Sequence, residues 1–325
     1  MRGFSVSEHE PITIVVSARD RFSTAAACLS NIFKHTRGDF SVAAVFGGMP
    51  DSIRRDLEAK FSDRVHFTFK PELISNAQAR NLALFQIKTR LSVFLDTDVF
   101  VRSGWVEPLI ACQKETGASL VAPLVLDRQN MIHTAGNDLY VFRELGKNYA
   151  KMELRYKGQP AGLARRLTRS EVDFCEVHCQ LFETETAKQL RVFDENLREG
   201  HEMDSGLTLR QAGRKMMVEP KSVVYLHYPE RIDDAADLLL YLWKWEPKAM
   251  EEGFTYFQKK WGMNINYKKG FSYYLKKNVY PRVGYFSRRS QTAKAVKADM
   301  FFFRVKKKLS KNSIYQFINR VVFEA

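Results

Sequence analysis

The stretch Leu91-Ser92-Val93-Phe94-Leu95-Asp96-Thr97-Asp98-Val99-Phe100 decides the reading of this chain. An apolar run rich in Val, Phe and Leu, bounded by polar residues, is the pattern of a buried strand. It ends in two aspartates separated by one residue. Residues i and i+2 of an extended segment point the same way, so Asp96 and Asp98 can share a ligand. Open α/β sheets bind their ligands beyond the carboxyl ends of their strands. Two neighbouring carboxylates repel unless a cation or a proton intervenes. With oxygen ligands alone that cation is hard, Mg or Mn. A strand end closed by turn-forming residues gives the same pattern, and the neighbouring segments decide between the two.

Upstream, Ile12-Thr13-Ile14-Val15-Val16 reads as a first strand, followed by Ser17-Ala18-Arg19-Asp20-Arg21 and a helix from Ala25 to Phe33. A second strand runs from Ser41 to Phe46 and ends at Gly47-Gly48; a helix follows over 51–61, a third strand over 65–69, and a helix over 75–87 begun by Ser75 or Asn76. Downstream, helix 104–116 and strand 120–126 continue the alternation, which argues for a mostly parallel sheet flanked by helices. Residues 127–171 are less regular and include His133-Thr134-Ala135-Gly136. A strand over 172–182, a short helix over 185–191, a helix from Ser205 to Ala212 with Gly213 as its C-cap, and a strand over 223–227 complete this part. After Pro229 an apolar-periodic helix spans 233–252, with Pro247 as a kink or break.

The chain has 325 residues, 45% hydrophobic and 27% charged, which suits one large domain plus an extension, or two domains. We place the boundary near residue 230, with domain 1–230 and a helical, basic-aromatic extension 231–325. No apolar run reaches the ~18 residues of a membrane span, and Met1 to Pro11 lacks the apolar region of a signal peptide. The four cysteines, Cys28, Cys112, Cys175 and Cys179, are expected reduced in a cytoplasmic protein. Cys175 and Cys179 flank His178, but a zinc site there lacks its second ligand pair. The net charge of +14 is lopsided: residues 254–325 hold 17 Lys and Arg and carry +15, while residues 1–253 carry −1.

The order of these motifs resembles the family 2 inverting glycosyltransferases, which have the GT-A nucleotide-sugar fold. Ile12 to Arg21 is similar to that family's first strand and nucleotide loop. Ala79-Arg80-Asn81 resembles its Ala-Arg-Asn helix, Phe94 to Asp98 its Phe-Leu-Asp-x-Asp strand, and Gly104-Trp105 the usual sequel. Phe193-Asp194-Glu195 resembles the Phe-Asp-Glu before the acceptor-side acidic motif, Asp204 to Gly213 has the family's spacing from acid to glycine, and His227 stands where the family places a metal-binding histidine. The resemblance covers about residues 10–229. The chain departs from the pattern in three places. The first loop reads Ser17-Ala18-Arg19-Asp20, the second strand ends in Phe46-Gly47-Gly48 where an aspartate usually reads the nucleobase, and the acidic pair appears as His201-Glu202.

The resemblance implies that a sugar moves from a nucleotide-diphosphate donor, a UDP-sugar foremost, to a hydroxyl of a glycan or lipid-linked acceptor in cell-surface polysaccharide assembly. Asp98 would ligate Mn or Mg directly, Asp96 would touch the ribose or reach the metal through water, and His227 would complete the site. Ser17, Arg19, Arg21 and Arg80 would face the nucleotide, Arg80 holding a phosphate through its guanidinium. Glu202 would be the general base and give inversion in one displacement. His201 and Asp204 would lie on the acceptor side, Asp204 either binding hydroxyls or capping the helix from Ser205.

In residues 254–325, basic pairs such as Lys259-Lys260 and Lys276-Lys277 alternate with aromatic residues such as Trp261 and Tyr273-Tyr274. Basic side chains attract anionic lipid and aromatic rings settle at the headgroup boundary, so a peripheral contact with the inner face of the membrane is expected. No nucleic-acid module accompanies the charge, and no nucleic-acid partner is expected. Two competing readings stand beside the transferase. One is a non-catalytic nucleotide- or glycan-binding protein on the same fold. The other is a nucleotidyltransferase, for which no glycine-rich phosphate loop is present.

Overall fold

Strand β4 (Leu91–Asp96), which carries the decisive stretch, lies wholly buried beside β1 (Ile12–Ser17) in the middle of a large sheet. The structure, a computed structural model, describes residues 10–232, 234–265 and 271–283. Its first half alternates strand and helix: β1, α1 (Ala25–His35), β2 (Phe40–Gly47), α2 (Asp51–Phe61), β3 (Val65–Lys70), α3 (Asn76–Leu84) and β4. Strands β1 to β4 pair in parallel, in the order β4-β1-β2-β3, with Ser17 level with Asp96. The period-two rule sorts their side chains between two cores. Ile12, Ile14, Val16, Val93 and Leu95 join α1 and α2 on one face, whereas Val15 and Phe94 join α3 on the other. Asp96 follows Phe94 on the α3 face.

The second half begins with β5 (Val99–Val101), α4 (Val106–Thr116), β6 (Leu120–Asp127) and β7 (Ile132–Thr134), and continues with the hairpin β8 (Asn137–Glu144) and β9 (Lys147–Leu154) and with β10 (Ser170–Glu171). Next come β11 (Cys179–Glu183), α5 (Thr184–Leu190), α6 (His201–Gln211), β12 (Met216–Leu226), α7 (Ala235–Lys244), α8 (Pro247–Trp261), β13 (Asn264–Ile265) and the short α9 (Phe271–Tyr274). The main sheet runs β10-β12-β6-β11-β4-β1-β2-β3, with β11 antiparallel to both neighbours; β8, β9 and β13 form a separate small sheet.

Several expectations need correction here. The hairpin β8/β9 lies within the stretch that reads as irregular. Its two-residue turn is Leu145-Gly146, both at positive φ (46° and 77°), so the usual Asn-Gly or Asp-Gly signal is missing. The strand expected over 172–182 is shortened to Cys179–Glu183, because Cys175 to His178 form a loop whose polar groups turn into the site. Helix α6 begins four residues before Ser205, at His201, because Gly200 takes a left-handed turn (φ 82°) that a side chain would strain. Pro247 sits in the first turn of α8 and separates it from α7, a break rather than a kink.

Helices beyond residue 230 bond to the loop after β1. Asp237 accepts from the Phe22 and Ser23 amides (2.6 and 3.0 Å), and Lys244 reaches Asp20 (2.7 Å). Among the described residues no helix is long and apolar enough to cross a membrane.

Candidate active site

The site forms where β1 and β4 end side by side. Asp96 is fully buried, and its carboxylate is saturated by protein donors. Oδ1 accepts from Asn76 Nδ2 (3.1 Å) and Arg80 Nη2 (3.0 Å), and Oδ2 lies 3.0 Å from His178 Nδ1. Asn76 and Arg80 reach it together because residues four apart share one face of α3. A capping box starts that helix, with Ser75 and Gln78 bonded reciprocally. Burial alone would raise the Asp96 pKa, but its bond to His178 and the Arg80 charge lower it below the ordinary carboxylate value.

Asp98 is the opposite case. It is equally buried, yet neither carboxyl oxygen has a hydrogen-bond partner among the described residues. Burial, with Asp96 and Asp20 nearby, pushes its pKa up to about 6. A buried, unpartnered carboxyl group beside a second carboxylate is unfavourable on its own and fits a divalent cation. Ligand atoms of Asp96, Asp98 and His178 lie within 4.8 Å of one another. With His178 Nδ1 bonded to Asp96, the donors offered to an ion here are carboxylate oxygens, which suit Mg or Mn.

The imidazole in that group is His178, not His227. His227 touches Asp98 through its backbone, its N–H donating to the Asp98 carbonyl (2.8 Å), while its ring stacks on Phe100 with centroids 4.3 Å apart. Arg21 is drawn to the same strand end and donates to the His227 carbonyl.

Arg80 also departs from its expected role. Its guanidinium is wholly buried and donates to Gln180 Oε1 (3.1 Å) and the Val177 carbonyl (2.6 Å) besides Asp96. Both of its terminal nitrogens are spent on Asp96, Gln180 and the Cys175–His178 loop, while Nε has no partner among the described residues. Ser17 Oγ accepts from Asn76 Nδ2 (3.1 Å), which ties the first loop to the same network.

On the other side of the site, the left-handed turn at Gly200 brings the first turn of α6 into the interior. Gly206 lets the helix lie directly on Phe174: an added Cβ would stand 2.4 Å from Phe174 Cβ. Glu202 is buried, and its Oε2 has no partner among the described residues; burial, with the Glu199 charge nearby, pushes its pKa up to about 7. His201 is buried with neither ring nitrogen partnered among the described residues, and burial pushes its pKa down to about 3, so it is neutral. Asp204 does not cap the helix. Helix α6 has already begun at His201, and the Asp204 carboxylate is held by Trp261 Nε1 (2.7 Å) and Lys260 Nζ (2.8 Å) from the end of α8.

Arg19 lies between these halves. It pairs with Glu199 (2.9 Å) and Asp20 (3.4 Å), and Lys244 pairs with the same two carboxylates, both at 2.7 Å. Burial would raise the Glu199 pKa, but the two cations hold it down to about 2. Asn76, Glu176, His178, Glu199 and Lys244 were not read as site residues from the sequence. His178 looked like part of a strand, and Lys244 like one charge on an apolar helix.

The second-strand departure has a steric cause. A Cβ on Gly47 would stand 2.5 Å from both the Glu72 carbonyl oxygen and Ile74 Cγ1. The segment before α3 closes over the end of β2, so position 47 has no room for a side chain.

Comparison with known proteins agrees with this architecture. Two curated proteins, the pre-mycofactocin glycosyltransferases of Mycobacterium tuberculosis strains CDC 1551 / Oshkosh and ATCC 25618 / H37Rv, are each 24% identical over 216 residues. That match covers 66% of this chain and 42% of theirs, so the chain spans about two fifths of the length of these relatives. Among solved structures, GalNAc-T7 with UDP, GalNAc and Mn2+ superposes with a TM-score of 0.51 at 14% identity, covering 86% of this chain and 58% of that one. S. aureus TarS 1-349 with UDP-GlcNAc gives 0.50 at 12% identity, covering 77% and 66%. These likenesses establish the GT-A fold. The family model for glycosyl transferase family 2 matches residues 13–184, more than half of the chain. On that match, carried by the strand and helix succession that builds the Asp96–Asp98 strand end, the chain belongs to glycosyl transferase family 2.

Proposed function

We propose that this chain is an inverting glycosyltransferase moving a sugar from a UDP-sugar to a hydroxyl of a glycan or lipid-linked acceptor. The observation that carries the reading is Asp98, whose carboxyl group is buried and without a partner among the described residues just past the carboxyl end of β4, beside a carboxylate that the protein itself saturates. Asp98 would ligate Mn2+ or Mg2+ directly, with Asp96 reaching the ion through water, and the ion would supply Lewis-acid neutralisation of the leaving diphosphate. Glu202, raised to about 7, suits a group that takes up a proton near neutral pH. Its Oε2 would accept the acceptor hydroxyl proton as that oxygen bonds the anomeric carbon. The bond from that carbon to the diphosphate breaks, and the nucleoside diphosphate leaves with the electron pair. One displacement inverts the centre. Ser17, Arg19 and Arg21 line the first loop on the nucleotide side, and neutral His201 stands beside Glu202 toward the acceptor. The UDP in GalNAc-T7 and the UDP-GlcNAc in TarS support the choice of donor.

The extension is proposed to bring the enzyme to anionic membrane, as suits a cytoplasmic, inner-face protein of polysaccharide assembly. Much of its charge lies in residues 284–325, outside the described residues. Co-sedimentation of the full chain with phosphatidylserine vesicles, but not with phosphatidylcholine vesicles, is expected.

The testing experiment is a panel of UDP-, GDP-, dTDP- and CMP-linked sugars with and without Mn2+, reading released nucleotide. Metal-dependent release of UDP from one donor is the expected result. No release from any donor, together with no thermal shift by any nucleotide, would overturn the reading in favour of a non-catalytic protein.

A further inference from the structure

A second group of ligating side chains lies behind the donor site. His133, Glu176 and His178 bring ligand atoms within 4.8 Å of one another. His133 Nε2 is 2.7 Å from Glu176 Oε2, and His178 Nε2 is 3.4 Å from the same oxygen. We propose that these residues form a site for a transition-metal ion of the Zn2+ class, distinct from the donor's divalent ion and joined to it through His178.

Three features of the geometry support a built site. The first is the ligand set. Two imidazoles and one carboxylate converging from three residues is a donor set for zinc and its neighbours, with a position left for water. Side-chain exposures of 19% for His133 and 15% for Glu176 leave that position open to solvent, while His178 is 5% exposed.

The second is the outer partner of His178. A metal-bound imidazole usually donates its other ring N–H to a carboxylate, which fixes its tautomer and orientation. His178 Nδ1 lies 3.0 Å from Asp96 Oδ2, which leaves Nε2 for the ion. Asp96 is itself fixed by Arg80 and Asn76.

The third is preorganisation of the backbone. His133 is the extra residue of a bulge: Ile132 and Thr134 pair with Leu126 and Val125, and His133 has no opposite. Bulges re-aim a side chain. The Glu176 loop is clamped along its length. Cys175 O accepts from Gln180 (3.0 Å), Val177 O from Arg80 (2.6 Å), and His178 O from the Asp96 amide (3.1 Å). Asn137, buried at the start of β8, bonds to Thr134 Oγ1 (2.7 Å), and with its amide turned to satisfy both ends its oxygen accepts from the Glu176 N–H (3.1 Å), so one buried amide joins the two halves of the site.

The electrostatics agree. Glu176 is held well below the ordinary carboxylate range by the two histidines despite burial, so it is an anion. Two carboxylates, Asp96 and Glu176, thus flank His178, and Arg80 and Arg19 are the opposing charges. Neither cysteine beside His178 takes part. Both thiols are buried, and burial pushes each well above its ordinary pKa. The zinc pattern rejected in the sequence is therefore replaced by one that shares only its histidine.

The inference holds whether or not the chain transfers sugar, and its test reads metal directly. Zn2+ binding to the full chain is measured by competition with a chromophoric chelator, in millimolar MgCl2 to fill the oxygen-rich donor site. One Zn2+ per chain is expected, with X-ray absorption showing two imidazoles. His133→Ala and Glu176→Gln should each weaken it more than about tenfold, the loss that even an outer-shell partner can cause, with circular dichroism confirming the fold. Asp98→Asn should leave Zn2+ affinity unchanged. Absence of a Zn2+ site in the wild-type chain under Mg2+ would overturn the proposal. So would a site lost in Asp98→Asn but kept in His133→Ala, since the ion would then occupy the donor site.

Discussion

Arg80 Nη2 lies 3.0 Å from Asp96 Oδ1, and both side chains are completely removed from solvent. An arginine on the nucleotide-side helix, in the position expected to meet a phosphate, instead spends its guanidinium on the carboxylate that anchors the site. Such a pair is expensive to bury and more expensive to break, because the remaining charge cannot reach water.

Arg80→Ala should therefore lower unfolding stability by ~3–5 kcal/mol. Arg80→Lys should fall between, since one ammonium cannot span Asp96, Gln180 and Val177 together. Urea denaturation checks both. A variant that folds as stably as wild type but binds UDP more weakly would restore Arg80 to the phosphate.

Asp98→Asn should abolish Mn2+-dependent UDP binding in calorimetry while stability without metal holds or rises. It removes a charge that has no partner among the described residues and whose burial opposes ionisation. Unchanged Mn2+-dependent binding would remove Asp98 from the donor site.

Glu202 sets a pH dependence with two opposite readings. As a base it must be ionised, so kcat/KM should rise with pH and level off above about 7. For stability the sign reverses. Its folded value of about 7 exceeds its ordinary 4.5, so the folded protein binds this proton more tightly, and stability from this group falls as pH rises through that window. Glu202→Gln should be inactive yet at least as stable as wild type at pH 8, as thermal melts at pH 5 and pH 8 would show.

Lys244 joins Asp20 and Glu199 at 2.7 Å each, all three buried. Lys244→Ala strands two carboxylates beside Arg19 and should cost ~3–5 kcal/mol, read by urea denaturation. Glu199 has a folded value of about 2 against an ordinary 4.5, so its contribution is complete above pH 4.5 and lost as pH falls toward 2. Acid titration of the wild type should show this loss, and Lys244→Ala should weaken it.

Much of the fold was legible because its signals are local. The runs Ile12–Val16 and Leu91–Asp96 read as buried strands since central parallel strands are covered on both faces. Helix 51–61 and strand 120–126 were placed within a residue of their observed ends, by the same periodicity. The hairpin β8/β9 escaped because its strands are half-exposed and its turn is Leu-Gly. The start of α6 escaped because Gly200, not a polar N-cap, makes the entry.

By itself, then, the sequence determined the alternation of strand and helix, the Asp96–Asp98 strand end and the acidic pair Glu202 and Asp204 before a helix, because hydrophobic period and short motifs are properties of neighbouring residues. Only the tertiary structure decided which of these groups are free. Arg80 and Asp204 bond to partners from β11 and α8, Asp98 and Glu202 keep oxygens without a partner among the described residues, and His178 meets Asp96 across 82 residues of chain and His133 at its bulge. Whether a buried polar group bonds to protein or is left for a ligand depends on what packs over it from distant segments, and no local pattern carries that.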